Sequence, residues 1–170
     1  GRVEVADVSL ERPTIAVDID ADGKSNWSVL IDALARSKKP SEARTVAAFS
    51  EMRIDNGTII LRNQATNTVE TLNSVDFSLA WPSISKSFGA TGHFVWRNEP
   101  VDASVTLADF PAALQGNRTG LKLRIAGAPM KAAFEGAFSV KPTFKVEGTL
   151  AADAASLRAA LIWTGQSPLP

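Results

Sequence analysis

Asp18, Asp20 and Asp22, followed by Gly23, are spaced like the oxygen ligands of a calcium loop. An EF-hand loop also needs a Glu at its twelfth position, and counting from Asp18 that position is Val29. The expectation is therefore an Asp-rich turn. His93 is the single histidine, and there is no cysteine, so neither a metal ligand set nor an acid–base pair assembles around it. No serine lies in a Gly-x-Ser-x-Gly elbow, and no Gly-rich phosphate loop is present. The residues point to no enzyme, no cofactor and no metal.

Composition narrows the class further. The 170 residues are 45% hydrophobic and 21% charged, the balance of a globular domain and not of a disordered chain. Eighteen basic residues balance eighteen acidic ones without a long block of either sign, so the basic stripe of a nucleic-acid binder is missing. No apolar run reaches the ~20 residues that span a bilayer. The chain opens directly on a strand pattern at Gly1 and ends in a linker composition over residues 165–170. The expectation is one β-rich module, residues 1–164, of a longer protein.

The dominant signal lies in the elements. Val75, Phe77, Leu79 and Trp81 alternate with Asp76, Ser78 and Ala80, and Phe88, Ala90, Phe94 and Trp96 alternate with polar neighbours. A period of two puts one set of side chains on one face of a sheet. Strands are expected over 3–10, 13–19, 45–54, 58–64, 69–81, 88–97, 101–107, 121–125, 132–140 and 144–150. Asp55-Asn56-Gly57 is expected to close a hairpin between the third and fourth of these. Short connections predict an antiparallel meander with no parallel crossover. Trp27, Leu30, Ile31 and Leu34 predict a helix that Pro40 stops, Phe110–Leu114 a helical turn, and Asp153 or Ser156 the cap of a last helix reaching Trp163.

About ten strands at ~4.8 Å spacing, each of eight residues, present an apolar area of roughly 1,100–1,200 Å², whereas a short helix shields about 160 Å². Helices alone leave most of that face bare. The fold class expected is mainly β: a strongly curved antiparallel meander sheet, a half-barrel or β-groove, with one or two short helices on its concave face. Val75, Phe77, Leu79, Trp81, Phe94, Trp96, Phe134 and Phe138 are the candidates for the apolar lining. The competing reading makes these same residues the closed core of a sandwich.

The segment from Val8 to Trp27, with Arg12-Pro13, Asp22-Gly23 and Asn26-Trp27, resembles the AsmA family. Met52 to Ile59 resembles that family's recurring Ile-x-x-Gly-x-Ile hairpin, and Val75–Trp96 and Gly148–Trp163 are similar to segments that follow. The resemblance implies a periplasmic module of Gram-negative bacteria, tethered to the inner membrane by an anchor this chain lacks. It also implies a role in outer-membrane biogenesis, with lipid acyl chains carried in an apolar β-groove as in bridge-like lipid-transfer proteins. The partners expected are acyl chains, phospholipid among them, and neighbouring domains of the same longer chain, with no nucleic acid. One alternative is a scaffolding envelope domain that docks other domains or assembly factors without lipid. Another is an enzyme or carbohydrate-binding domain of the sandwich kind.

Overall fold

A computed structural model describes residues 7–30, 32, 51–80 and 87–167. The strands are β1 (Asp7–Glu11), β2 (Thr14–Ile19), β3 (Glu51–Asn63), β4 (Thr68–Ala80), β5 (Phe88–Trp96), β6 (Glu99–Leu107), β7 (Thr119–Gly127), β8 (Lys131–Ser139) and β9 (Lys145–Asp153). Two short helices, α1 (Phe110–Leu114) and α2 (Leu157–Trp163), follow β6 and β9. A helical stretch also occupies residues 28–30. Residues 1–6, most of the expected 27–35 helix with Pro40, the start of the strand expected from Thr45, and Trp81 with Pro82 lie outside the described residues.

All nine strands form one open sheet in the order β1-β3-β4-β5-β6-β7-β8-β9, with β2 also paired to β3. From β3 to β9 every neighbour is antiparallel and consecutive, as the alternation and short turns predict. The first two strands depart from the expected meander: β1 and β2 both run parallel to β3. A parallel return needs a connection of roughly a dozen residues or more, and the segment between Ile19 and Glu51 supplies that length. Arg12 bends the chain between β1 and β2 without reversing it, so the two pieces lie end to end along the same side of β3.

Asn56-Gly57 does not close a hairpin. β3 runs through it as one thirteen-residue strand, and the register against β4 shifts on either side of Gly57. Asn56 adopts φ 50, and Ser74 on β4 adopts φ 47 where the β4–β5 register also slips. An Asn-Gly pair serves a bulge as well as a type I′ turn, because the turn needs positive φ at both residues and this bulge needs it at Asn56 alone. The bulges line up with Arg12, at φ 48, across adjacent strands. Their displaced donors are satisfied: Arg12 N donates to Asp55 O at 2.8 Å, Thr58 N to Pro13 O at 2.8 Å, and Asn56 N to Asp76 Oδ1 at 2.8 Å. The crease therefore costs no orphaned backbone group at these positions.

Both helices lie against the apolar face. Asp109 caps α1 by accepting from Ala112 N at 2.8 Å, and Phe110 stacks on Phe88 with ring centroids 4.9 Å apart. Of the two expected caps it is Ser156 that starts α2, accepting from Ala159 N at 3.3 Å. Gly165, at φ 79, stops that helix by donating to Ile162 O at 3.0 Å, while Gln166 N donates to Leu161 O at 2.8 Å. Trp163 meets Trp96 edge-on at 4.9 Å, and its Nε1–H donates to Trp96 O at 3.3 Å. Gly127 makes room for it: a Cβ there would stand 3.1 Å from the indole.

The buried apolar residues among those described are few: Ile54, Val75, Ala90, Val101, Ala137, Ala160 and Trp163. Trp163 is the largest of them, so Trp163→Ala is expected to lower stability by about 3 kcal/mol or more. Ile162→Ala, at a 58% exposed position one residue away, is expected to change it by less than about 0.5 kcal/mol. Urea unfolding followed by far-UV circular dichroism compares the two, and equal midpoints would refute the docking role given to Trp163.

Candidate apolar binding face

Pairing registers assign side chains to faces without ambiguity, because directly opposed residues point the same way. Val8 stands opposite Met52, Met52 opposite Leu79, and Leu79 opposite Ala90. The same line continues through Val105, Leu123 and Phe134 to Leu150 on the last strand. Eight strands thus contribute one apolar residue each, and seven spacings of about 4.8 Å make a line about 33 Å long. A second line runs beside it, from Leu10 and Ile54 through Phe77, Gly92, Ala103, Ile125 and Ala132 to Ala152. No charged residue interrupts either line.

The small members of the second line let rings lie flat on the sheet. A Cβ on Gly92 would run into the Asp76 carbonyl oxygen and come 2.8 Å from the Phe77 ring, and on Gly136 and Gly148 it would run into the facing strand's backbone and come 2.8 and 2.9 Å from the Phe134 ring. Phe77 also stacks with Phe94 at 6.3 Å between centroids. These rings cover the sheet that bears them, yet Phe77, Leu79, Phe94, Phe134 and Phe138 all remain half-buried. Toward β9 the cover runs out: Leu123 is 39%, Val146 48% and Leu150 68% exposed.

The lining candidates therefore divide. Phe77, Leu79, Phe94 and Phe134 share the two apolar lines or stand directly beside them, and Phe138, opposite Thr119 and Val146, lies on the same face toward the α1 end. Val75 is completely buried at the crease, opposite Gly57, where it is packing. Trp96 is held beneath Trp163 at the α2 end. Trp81 falls outside the described residues. Met52, Val105, Leu123, Val146 and Leu150 were not among the lining candidates, and it is the pairing register that sets them on this face. The alternation that marks them is as regular as that of the rings.

One polar cluster closes the α2 end of this face. Trp96 Nε1–H donates to Glu70 Oε2 at 2.7 Å, Arg97 pairs with Glu70, and Arg97 Nη1 donates to Trp163 O at 2.9 Å. The guanidinium also stands 5.1 Å from the Trp96 ring centre. The bond from Arg97, and then that from Trp96, holds the Glu70 carboxyl below its ordinary range, and the same pairing raises Arg97. This cluster locks strand β4, the β5–β6 turn and α2 together.

The opposite face carries the charge. Lys122 pairs with Glu135 at 2.7 Å, Lys145 with Glu147 at 2.8 Å, and His93 with Asp76 at 3.2 Å. Two open depressions of about 400 Å³ each lie along β5–β9, lined largely by that face, with Thr91, His93, Asp102, Arg124, Lys131 and Asp153 among their walls. They hold both signs of charge and no convergent ligand set. The Asp-rich segment is committed to its own backbone: Asp20 Oδ1 accepts from Asp22 N at 3.0 Å and Lys24 N at 2.8 Å, and Asp18 pairs with Arg62 at 3.0 Å. Asn26 and Trp27 tie that turn to β2 through Ala16 O, at 3.1 and 2.7 Å.

Among the described residues no group of three or more His, Cys, Asp or Glu could hold a metal ion, and no helix is long and apolar enough to cross a membrane. Comparison with family models, with curated proteins and with solved structures finds no match.

A carboxyl held below its ordinary range binds its proton less readily folded than unfolded. Its stabilising contribution is present above the unfolded pKa and is lost as pH falls through the lower folded value. Glu70→Gln is therefore expected to flatten the acid limb of the stability curve below the ordinary carboxylate range, and to change the slope little near neutrality. Urea midpoints measured from pH 7 down to about pH 3 test this, and an unchanged acid limb would contradict the Glu70 assignment.

Proposed function

We propose that this chain is a non-catalytic, lipid-handling module whose apolar sheet face receives acyl chains. The observation that carries the reading is the unbroken apolar line across eight strands, with Leu123 and Leu150 left 39% and 68% exposed. Each buried methylene is worth about 0.8 kcal/mol, so a sixteen-carbon tail left in water costs on the order of 12 kcal/mol. An apolar line without charge lowers that cost at every position along it, and it needs no residue-specific chemistry. The resemblance of its sequence to the AsmA family supports reading it as a periplasmic module, tethered to the inner membrane and serving outer-membrane biogenesis. That resemblance makes phospholipid the first lipid to test.

A second reading, a scaffolding envelope domain that never holds lipid, is favoured by β9. All nine of its residues are exposed, and it ends the sheet. The two readings make different demands on the apolar face. In the first, Leu123→Glu and Leu150→Glu each weaken binding of a fluorescent sixteen-carbon fatty acid by about tenfold or more, while Thr91→Glu on the polar face leaves it unchanged. Fluorescence titration of the purified chain, with native mass spectrometry and lipid extraction alongside, reads both. A delipidated chain that stays folded and takes up no acyl chain would leave the scaffolding reading in possession.

A further inference from the structure

The two edges of the sheet are built differently. On the first, β1 and β2 are five and six residues long and are interrupted at Arg12-Pro13, where Arg12 has positive φ and Pro13 has no donor to offer. Short pieces, a kink and an edge proline are how sheets block unwanted strand addition. The last edge carries none of these devices. β9 runs nine residues in unshifted register with β8, contains no proline and no positive φ, and among the described residues no strand pairs with its outer side.

We propose that this edge is a self-pairing surface: two copies of the chain join β9 to β9 in antiparallel order, with Thr149 opposite Thr149 of the second copy. The side chains select that register. It sets Lys145 opposite the second copy's Asp153, twice by symmetry, and Val146 opposite its Ala152. Gly148 then faces the second copy's Leu150, whose side chain is 68% exposed in the single chain. Slipping the pairing by two residues one way brings Glu147 opposite Asp153, which is repulsive, and the other way loses both ion pairs. A one-residue slip would set the apolar side chains of one copy against the charged side chains of the other. Parity and charge together leave this register. The two-fold axis stands normal to the sheet, so the apolar face of one copy continues into that of the next. The inference rests on the edge alone and holds whether or not the face carries lipid.

A nine-residue strand pair is about 30 Å long and falls below a standard interface, so the dimer is expected to be reversible. Sedimentation velocity of the full chain from about 1 μM to about 1 mM is expected to show monomer giving way to dimer. Lys145→Glu and Asp153→Lys each set like charges opposite one another at two places, and each is expected to weaken the dimer by about tenfold or more. Mixing the two variants restores attraction at both places, as does the double variant, and association is expected to return in both cases. Circular dichroism of each variant confirms that these exposed substitutions leave the fold in place. A chain that stays monomeric throughout overturns the proposal. So does association that ignores both reversals, as face-to-face burial of Leu123 and Leu150 would, or a mixture that fails to recover.

Discussion

Everything in this molecule depends on strand register. In a sheet the side chains alternate with a period of two, so one residue of slip on any strand would send its apolar set to the charged face. Here eight neighbouring strands keep phase, and Met52, Leu79, Val105, Leu123 and Leu150 reach the same side although nearly a hundred residues separate the first from the last. The cross-strand pair of Lys122 and Glu135 reinforces the phase from the other face. Exposed pairs of this kind are worth little as stability, but in the wrong register their charges would stand among apolar groups.

The first strands hold that phase while bending, and they do so by placing their irregularities side by side. Arg12, Asn56 and Ser74 all take positive φ on adjoining strands, and the backbone donors of Arg12, Asn56 and Thr58 are met by neighbouring acceptors. One bulge alone would put its strand out of phase with the next. Matched bulges shift β3 and β4 together, so Ile59 and Leu72 return to the face that Ile54 and Phe77 occupy. Val75 and Gly57 fill the crease, which is why a residue that belongs by alternation to the lining is wholly buried.

The apolar face is closed at its ends and open in its middle. Phe110 on Phe88 and Trp163 on Trp96 cap the two ends, and the Glu70–Arg97 pair anchors the second cap to the sheet. Between them, among the described residues, rings laid over glycines lower the exposed area of the face. A face of this kind is stable enough to persist and bare enough to be occupied. The polar cluster at its α2 end satisfies the Trp96 indole and the last turn of α2 together, so the boundary of the apolar zone carries no unpaired donor there.

By itself the sequence determined which residues share a face. The alternation of Phe77 with Leu79, and of Phe88 through Trp96, is a local property of extended backbone, and it transfers directly to the sheet. Ser156 as a cap and the turn at Phe110–Leu114 are local too, and both were legible. What joins what was not. Asn56-Gly57 can take the two positive φ values of a type I′ turn and equally the single one of this bulge, at Asn56, and only the presence of β4 and β2 on either side of β3 selects the bulge. The parallel course of β1 and β2 depends on a connection of some thirty residues whose path no local pattern encodes. Likewise Trp96 and Phe94 look alike along the strand and both are half-buried, and it is α2, arriving from sixty residues away, that sets a second indole against Trp96, whereas Phe94 stacks on Phe77 of the neighbouring strand. Periodicity decides the face of each strand, whereas coverage is decided by whichever distant segment lies above it.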